Sequence, residues 1–163
     1  MKKVVYAFIL TLMGAAVQLH AQPANIVTID AANQKAILKY VNQDRIQHGL
    51  KPLQMNKLMS DEAAKHSRDM AKHRIPFGHQ YFGKRIHRLF GQIKLCQSGA
   101  ENVAYAYKDG KAVVMNWLTS PGHRRNIRGN YNLTGIGLAR DEKGKIYYTQ
   151  IFLRTTNPVY LQK

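Results

Sequence analysis

Three features of this chain lead to an α+β domain, with helices laid over a small antiparallel sheet. Apolar residues recur at helical spacing until the last third, where two runs rich in Ile, Tyr, Thr and Phe, "TGIGLAR" and "KIYYTQIFLR", flank the tight turn "DEKG". The 163 residues suffice for one buried core. Helices that precede a terminal hairpin, without alternating with strands, cover a sheet rather than cross between parallel strands.

The opening residues, "MKKVVYAFILTLMGAAVQLHAQP", carry two lysines, an apolar run from Val4 to Val17 and small residues around Ala21. This is the layout of a signal peptide, read as residues 1–21, followed by a flexible segment over 22–32. The apolar run is shorter than the ~18–20 residues of a membrane span. The expectation is therefore an exported protein, periplasmic or secreted, with a retained anchor as the alternative. The folded domain is expected over 33–155 and a tail over 156–163.

A first helix is expected from Asn33, with Ile37, Leu38, Val41 and Ile46 inward and a stop at "HGLKP". Ser60 has the character of an N-cap for a second, with Asp61 and Glu62 in its first turn and a small-residue face of Ala63, Ala64, Ser67, Met70 and Ala71. A glycine-punctuated stretch follows, with a short basic helical piece around Arg85 to Phe90 and a brief extended run. Asp109 to Ser120 reads as a third helix, on which Val113, Val114, Trp117 and Leu118 share a face and Trp117 anchors the core.

The next break, "SPGHRRNI", begins a fourth helix. Ser120 suits its N-cap and Pro121 its first position, which places His123 third. Unpaired backbone N–H groups and the helix dipole oppose added positive charge there, and Arg124 and Arg125 stand beside it. A neutral imidazole in that position is open to three roles: general base, metal ligand or inert cap.

The formal charge is +16; loss of Lys2 and Lys3 with the leader leaves 23 basic residues against 9 acidic, a balance of +14. Such a charge favours anionic partners and says nothing of fold. No zinc-finger, RRM or basic-zipper pattern accompanies it, so specific nucleic-acid recognition is not expected. Cys96 is the only cysteine, so no internal disulfide forms, and "KLCQSG" offers it little activation; it reads as a structural thiol.

Six motifs in order, "VNQDRIQHGLKPL", "AAKHSRDMAKHRIPFGH", "GAENVA", "WLTSPGHRRNI", "TGIGLAR" and "YYTQIF", resemble a bacterial member of the CAP superfamily of cysteine-rich secretory, antigen-five and pathogenesis-related proteins. The resemblance runs from about Lys35 to Leu153. It implies a three-layer α/β/α sandwich around a central antiparallel sheet, a cleft lined by histidine and acidic residues, and an extracellular or envelope location. Carried over by position, His79 of "FGH" matches the first cleft histidine and Glu101 of "AEN" the first cleft glutamate. Tyr147 stands where the second histidine would be, and Ser120 where the second glutamate would be. Two of the four cleft groups are thus replaced, and His123 is the candidate to refill the space. Asn102, Asn126 and Gln150 match motif positions that hydrogen-bond the cleft backbone; Arg124 is expected either to pair with a buried acid or to line the cleft. His66 reads as a hydrogen-bonded packing residue, and His48, His73 and His87 as surface groups.

His79, Glu101 and His123 have the composition of a catalytic zinc site, two histidines and a carboxylate with an open position; zinc or another divalent cation is the cofactor such a set would take. Without metal, Glu101 can orient His79 as an acid/base pair. Two functions follow. One is a monomeric binding module whose basic cleft holds an anionic or amphipathic ligand: a lipid, glycan, cell-envelope polymer or peptide. The other is a hydrolase, metal-assisted, that uses water as nucleophile, since no G-x-S-x-G elbow is present.

Overall fold

The computed structural model describes residues 24–161; the expected signal peptide lies outside them. The elements run α1 (Ala24–Gln47), β1 (Gln54–Met55), α2 (Lys57–Ala71), α3 (Phe82–Ile93), β2 (Cys96–Tyr105), α4 (Gly110–Thr119), α5 (Pro121–Ile127), β3 (Leu133–Arg140) and β4 (Ile146–Thr155), with a closing turn of 3-10 helix at Pro158–Tyr160.

The four strands form one sheet in the order β1-β3-β4-β2, antiparallel except for the β1–β3 pair. Side chains alternate across β4, and each set meets a different helix layer. Tyr148 and Phe152 pack with Ile37 and Val41 of α1, Val113, Val114 and Trp117 of α4 and Ile127 of α5. Ile151 and Leu153 pack with Met59 and Ala63 of α2 and Leu89 and Ile93 of α3. This is the three-layer α/β/α sandwich, with the sheet in the middle and Trp117 fully buried.

Two helices depart from the sequence expectations. The first helix begins at Ala24 rather than near Asn33, and Arg140 reaches back to Asp30 at 2.8 Å. Its buried stripe passes through Asn33, Ile37 and Val41 to Asp44 and Arg45, leaving Ile46 60% exposed. Arg45 is inward because its guanidinium donates to the carbonyls of Lys51, Ile127, Gly129 and Tyr131 at 2.7–3.0 Å, tying α1 to the turn after α5. The second helix is capped by Asn56, not Ser60. Asn56 N donates to Thr134 O at 2.8 Å, which holds it extended beside the sheet, while its Oδ1 accepts from Met59 N. Ser60 lies inside the first turn, where its hydroxyl donates to Asn56 O and accepts from Ile136 N.

Candidate functional site

Glu101 and Asn102 are consecutive on β2, an edge strand, and so face opposite layers. Glu101 points towards α2 and α3. Arg85 of α3 forks onto its carboxylate, Nε to Oε2 at 2.9 Å and Nη2 to Oε1 at 2.8 Å, and both side chains are at most 5% exposed. His79, on the loop between α2 and α3, places Nδ1 2.9 Å from Glu101 Oε1 and is itself half exposed. His66 of α2 is buried beneath them, with Nε2 2.9 Å from Gly78 O and 3.8 Å from Glu101 Oε1.

The electrostatics follow from burial and neighbours. Burial pushes the Glu101 carboxyl up, but the hydrogen bonds from His79 and Arg85 and the charge of Arg85 outweigh it, and the group titrates below its ordinary value. Burial lowers His66, against the opposing pull of Glu101. A neutral His66 donates from Nε2 to Gly78 O, which leaves Nδ1 as a buried acceptor with no partner among the described residues.

Asn102, fully buried, faces the other layer and fixes α5. Its Nδ2 donates to His123 O at 3.2 Å, and its Oδ1 accepts from Asn126 Nδ2 at 2.9 Å. The carbonyls of Glu101 and Val103 are taken by Asn126 Nδ2 at 3.2 Å and the Trp117 indole at 3.4 Å. Side chains of α4 and α5 thereby cover an edge strand that would otherwise offer its carbonyls to another chain. His123 lies over this strand with its ring centroid 6.4 Å from that of Trp117. Its pKa is lowered first by burial and then by the charge of His79.

Ser120 occupies the N-cap position of α5 in extended conformation, with Pro121 first, but its side chain makes no capping bond. Arg124 Nη1 donates to Leu118 O at 2.9 Å, closing the end of α4; Asp44 is instead paired by Arg128, at 2.8 and 2.9 Å. Gln150 bridges β4 to β3 through Thr134 Oγ1 at 3.1 Å. Tyr147 is buried against Tyr105, ring centroids 5.6 Å apart and nearly parallel. Cys96 is half-buried and its thiol is pushed up by burial, in keeping with a structural role.

The residues do not fit a zinc ion. Both Glu101 oxygens are engaged by a guanidinium, and among the described residues no three His, Cys, Asp or Glu side chains are grouped to hold a metal. The sequence reading had no role for Arg85, yet a signal was present: Arg85, Leu89 and Ile93 are four apart on one helical stripe, all three buried. An arginine in register with core residues implies a buried carboxylate opposite.

The model of the cysteine-rich secretory protein family, CAP, matches residues 38–152. Among curated proteins, the Bacillus subtilis membrane protein YlbC, itself uncharacterized, is 37% identical over 129 residues, 77% of this chain and 36% of YlbC. YkwD of the same organism is 35% identical over 125 residues, 76% of this chain and 48% of YkwD. The chain thus matches less than half the length of these relatives. An extracellular SCP-domain protein from Bacillus anthracis has the same fold with a TM-score of 0.68 at 29% identity, covering 93% of this chain and 46% of the other. An outer surface protein of Borrelia burgdorferi shares the fold alone, with a TM-score of 0.67 at 18% identity over 77% of this chain and 94% of its own. With the family model spanning most of the chain and the sandwich built from the same motifs, this protein belongs to the cysteine-rich secretory protein (CAP) family.

Proposed function

We propose that this chain is the ligand-binding domain of an exported protein, holding an anionic or amphipathic ligand, such as a lipid, glycan or peptide, beside His79 and His123. The observation that carries the reading is the state of Glu101. Its charge is matched by Arg85, so the cluster presents an incoming ligand with imidazoles and backbone rather than with an open carboxylate. The surrounding surface agrees. Six of the nine acids (Asp30, Asp44, Asp61, Glu62, Asp69 and Glu101) are in ion pairs, and Asp109 and Asp141 accept backbone N–H bonds, which leaves a large excess of unmatched cations. The leader-like first residues and the extracellular Bacillus anthracis relative support export.

A second reading, hydrolysis, draws on the His79–Glu101 hydrogen bond, which orients an imidazole whose other face is open to solvent. Native mass spectrometry of the protein purified from its own cells separates the two. A co-purifying anionic molecule that is lost from the His79→Ala/His123→Ala variant supports binding. Absence of any bound species, with turnover of an envelope substrate abolished by His79→Ala, supports hydrolysis instead.

A further inference from the structure

A recess of about 710 Å³ opens between the C-terminal end of α2 and the β3–β4 hairpin, and it shares no residue with the cluster of His79, Glu101 and His123. Its volume is that of a small-ligand site. Five cations line it, Lys72, Arg74, Arg140, Lys143 and Lys145, against the carboxylates of Asp141 and Glu142. Asp141 is committed to the turn, its Oδ1 accepting from Lys143 N and Lys145 N. Arg74 and Arg140 pair with Asp69 and Asp30. Lys72, Lys143 and Lys145 have no carboxylate partner among the described residues.

One further donor faces the same place. Tyr147 is 6% exposed, and its hydroxyl, which has no hydrogen-bond partner among the described residues, is left open to water or a ligand at the recess. Beside Tyr147, the half-exposed rings of Tyr105 and Phe77, centroids 4.7 Å apart, form an apolar lip, and Lys145 Nζ stands 5.3 Å above Tyr105. Against the free carboxylate oxygens of Asp141 and Glu142 and the His73 imidazole stand three unpaired ammonium groups and the Tyr147 hydroxyl, so donors predominate and the complementary ligand is rich in acceptors.

From this we infer that the recess binds an acidic saccharide. Its carboxylate or phosphate oxygens lie on Lys72, Lys143 and Lys145, a hydroxyl oxygen accepts from the Tyr147 phenol, and a C–H face of the sugar rests on the Tyr105–Phe77 lip. A membrane surface is the poorer fit, because the cations line a concavity instead of flanking a protruding apolar face. Single-stranded nucleic acid is also disfavoured, since the ring of Tyr147 is stacked on Tyr105 and offers no open face for a base.

Isothermal titration of the protein with trigalacturonate, with phosphorylated maltotriose and with the neutral counterparts of both tests the assignment. At least one acidic sugar is expected to bind about tenfold or more tightly than its neutral form, and the triple variant Lys72→Gln/Lys143→Gln/Lys145→Gln to lose about tenfold. Tyr147→Phe should lose about threefold with its melting temperature unchanged. The charge-matched variant Lys35→Gln/Lys39→Gln/Lys111→Gln, and separately His79→Ala/His123→Ala, should stay within about twofold of wild type, so the recess and the histidine cluster succeed or fail independently. Equal binding of acidic and neutral sugars, or equal loss in the charge-matched variant, overturns the proposal. So does tighter capture of phosphatidylglycerol vesicles or oligothymidylate with the same triple-lysine dependence.

Discussion

Glu101 is the carboxylate on which the candidate site is assembled: it meets a guanidinium from α3, an imidazole from the loop that precedes α3 and a second imidazole from α2. An ion pair buried to this degree stabilises little over an apolar pair of the same shape, but removing one member strands the other charge out of water. Glu101→Gln is therefore expected to cost about 3–5 kcal/mol, and Arg85→Met a similar amount. In urea titrations the double variant should recover most of that loss, because no buried charge is left alone. Losses that simply add would show that the two side chains do not act as a pair. His79 takes its orientation from the same carboxylate, so the variants also separate a disoriented imidazole from an unfolded domain.

The packing of α2 on the sheet depends on two glycines of β3. A Cβ on Gly135 would fall on the backbone of Met59 and Ser60, and one on Gly137 on the backbone of Ala63 and Ala64. Neither helix nor strand can yield by rotating a side chain. Gly137→Ala should accordingly destabilise the fold by about 3 kcal/mol, at the upper end for overpacking, with a lower urea midpoint as the readout. A variant as stable as wild type would mean that α2 rides further from the sheet.

The same interface shows what was legible in the sequence. The small-residue face of α2, the hairpin, the helix that opens at Pro121 after Trp117 and the pairing of His79 with Glu101 all followed from local patterns or motif positions. What could not be read depended on distant partners. Asn56 outcompetes Ser60 as a cap because Thr134 O holds its backbone extended. The two residues of β1 have no periodicity and become a strand only by pairing with β3. Nothing local marks Arg45 as buried, because the carbonyls that draw it inward lie on other elements, and the helical stripe of Arg85 points it inward without identifying Glu101 as its partner.

For the molecule as a whole, burial and ion pairing act in the same direction with pH. His66 and His123 titrate below their ordinary value of 6.5, each first because of burial. The unfolded chain takes up protons from about pH 6.5 downwards that the folded chain refuses, so stability falls as pH drops through this range towards the folded values. A second loss lies lower. Asp44 is held below its ordinary 3.8 first by the hydrogen bond from Arg128, Glu62 below 4.5 first by that from Arg88, and Glu101 below 4.5 by His79 and Arg85 against burial. Their stabilisation is complete above the ordinary carboxylate values and disappears as pH falls through the lower folded ones, while each protonation adds to an already positive chain. Urea midpoints should therefore decline in two steps, one beginning near pH 6.5 and one below about 4.5. The His66→Gln/His123→Gln variant should lose the upper step and keep the lower. A wild-type midpoint that is flat between pH 7.5 and 5.5 would mean that the folded protein protonates these two imidazoles as readily as the unfolded chain does, and that their burial does not set their charge.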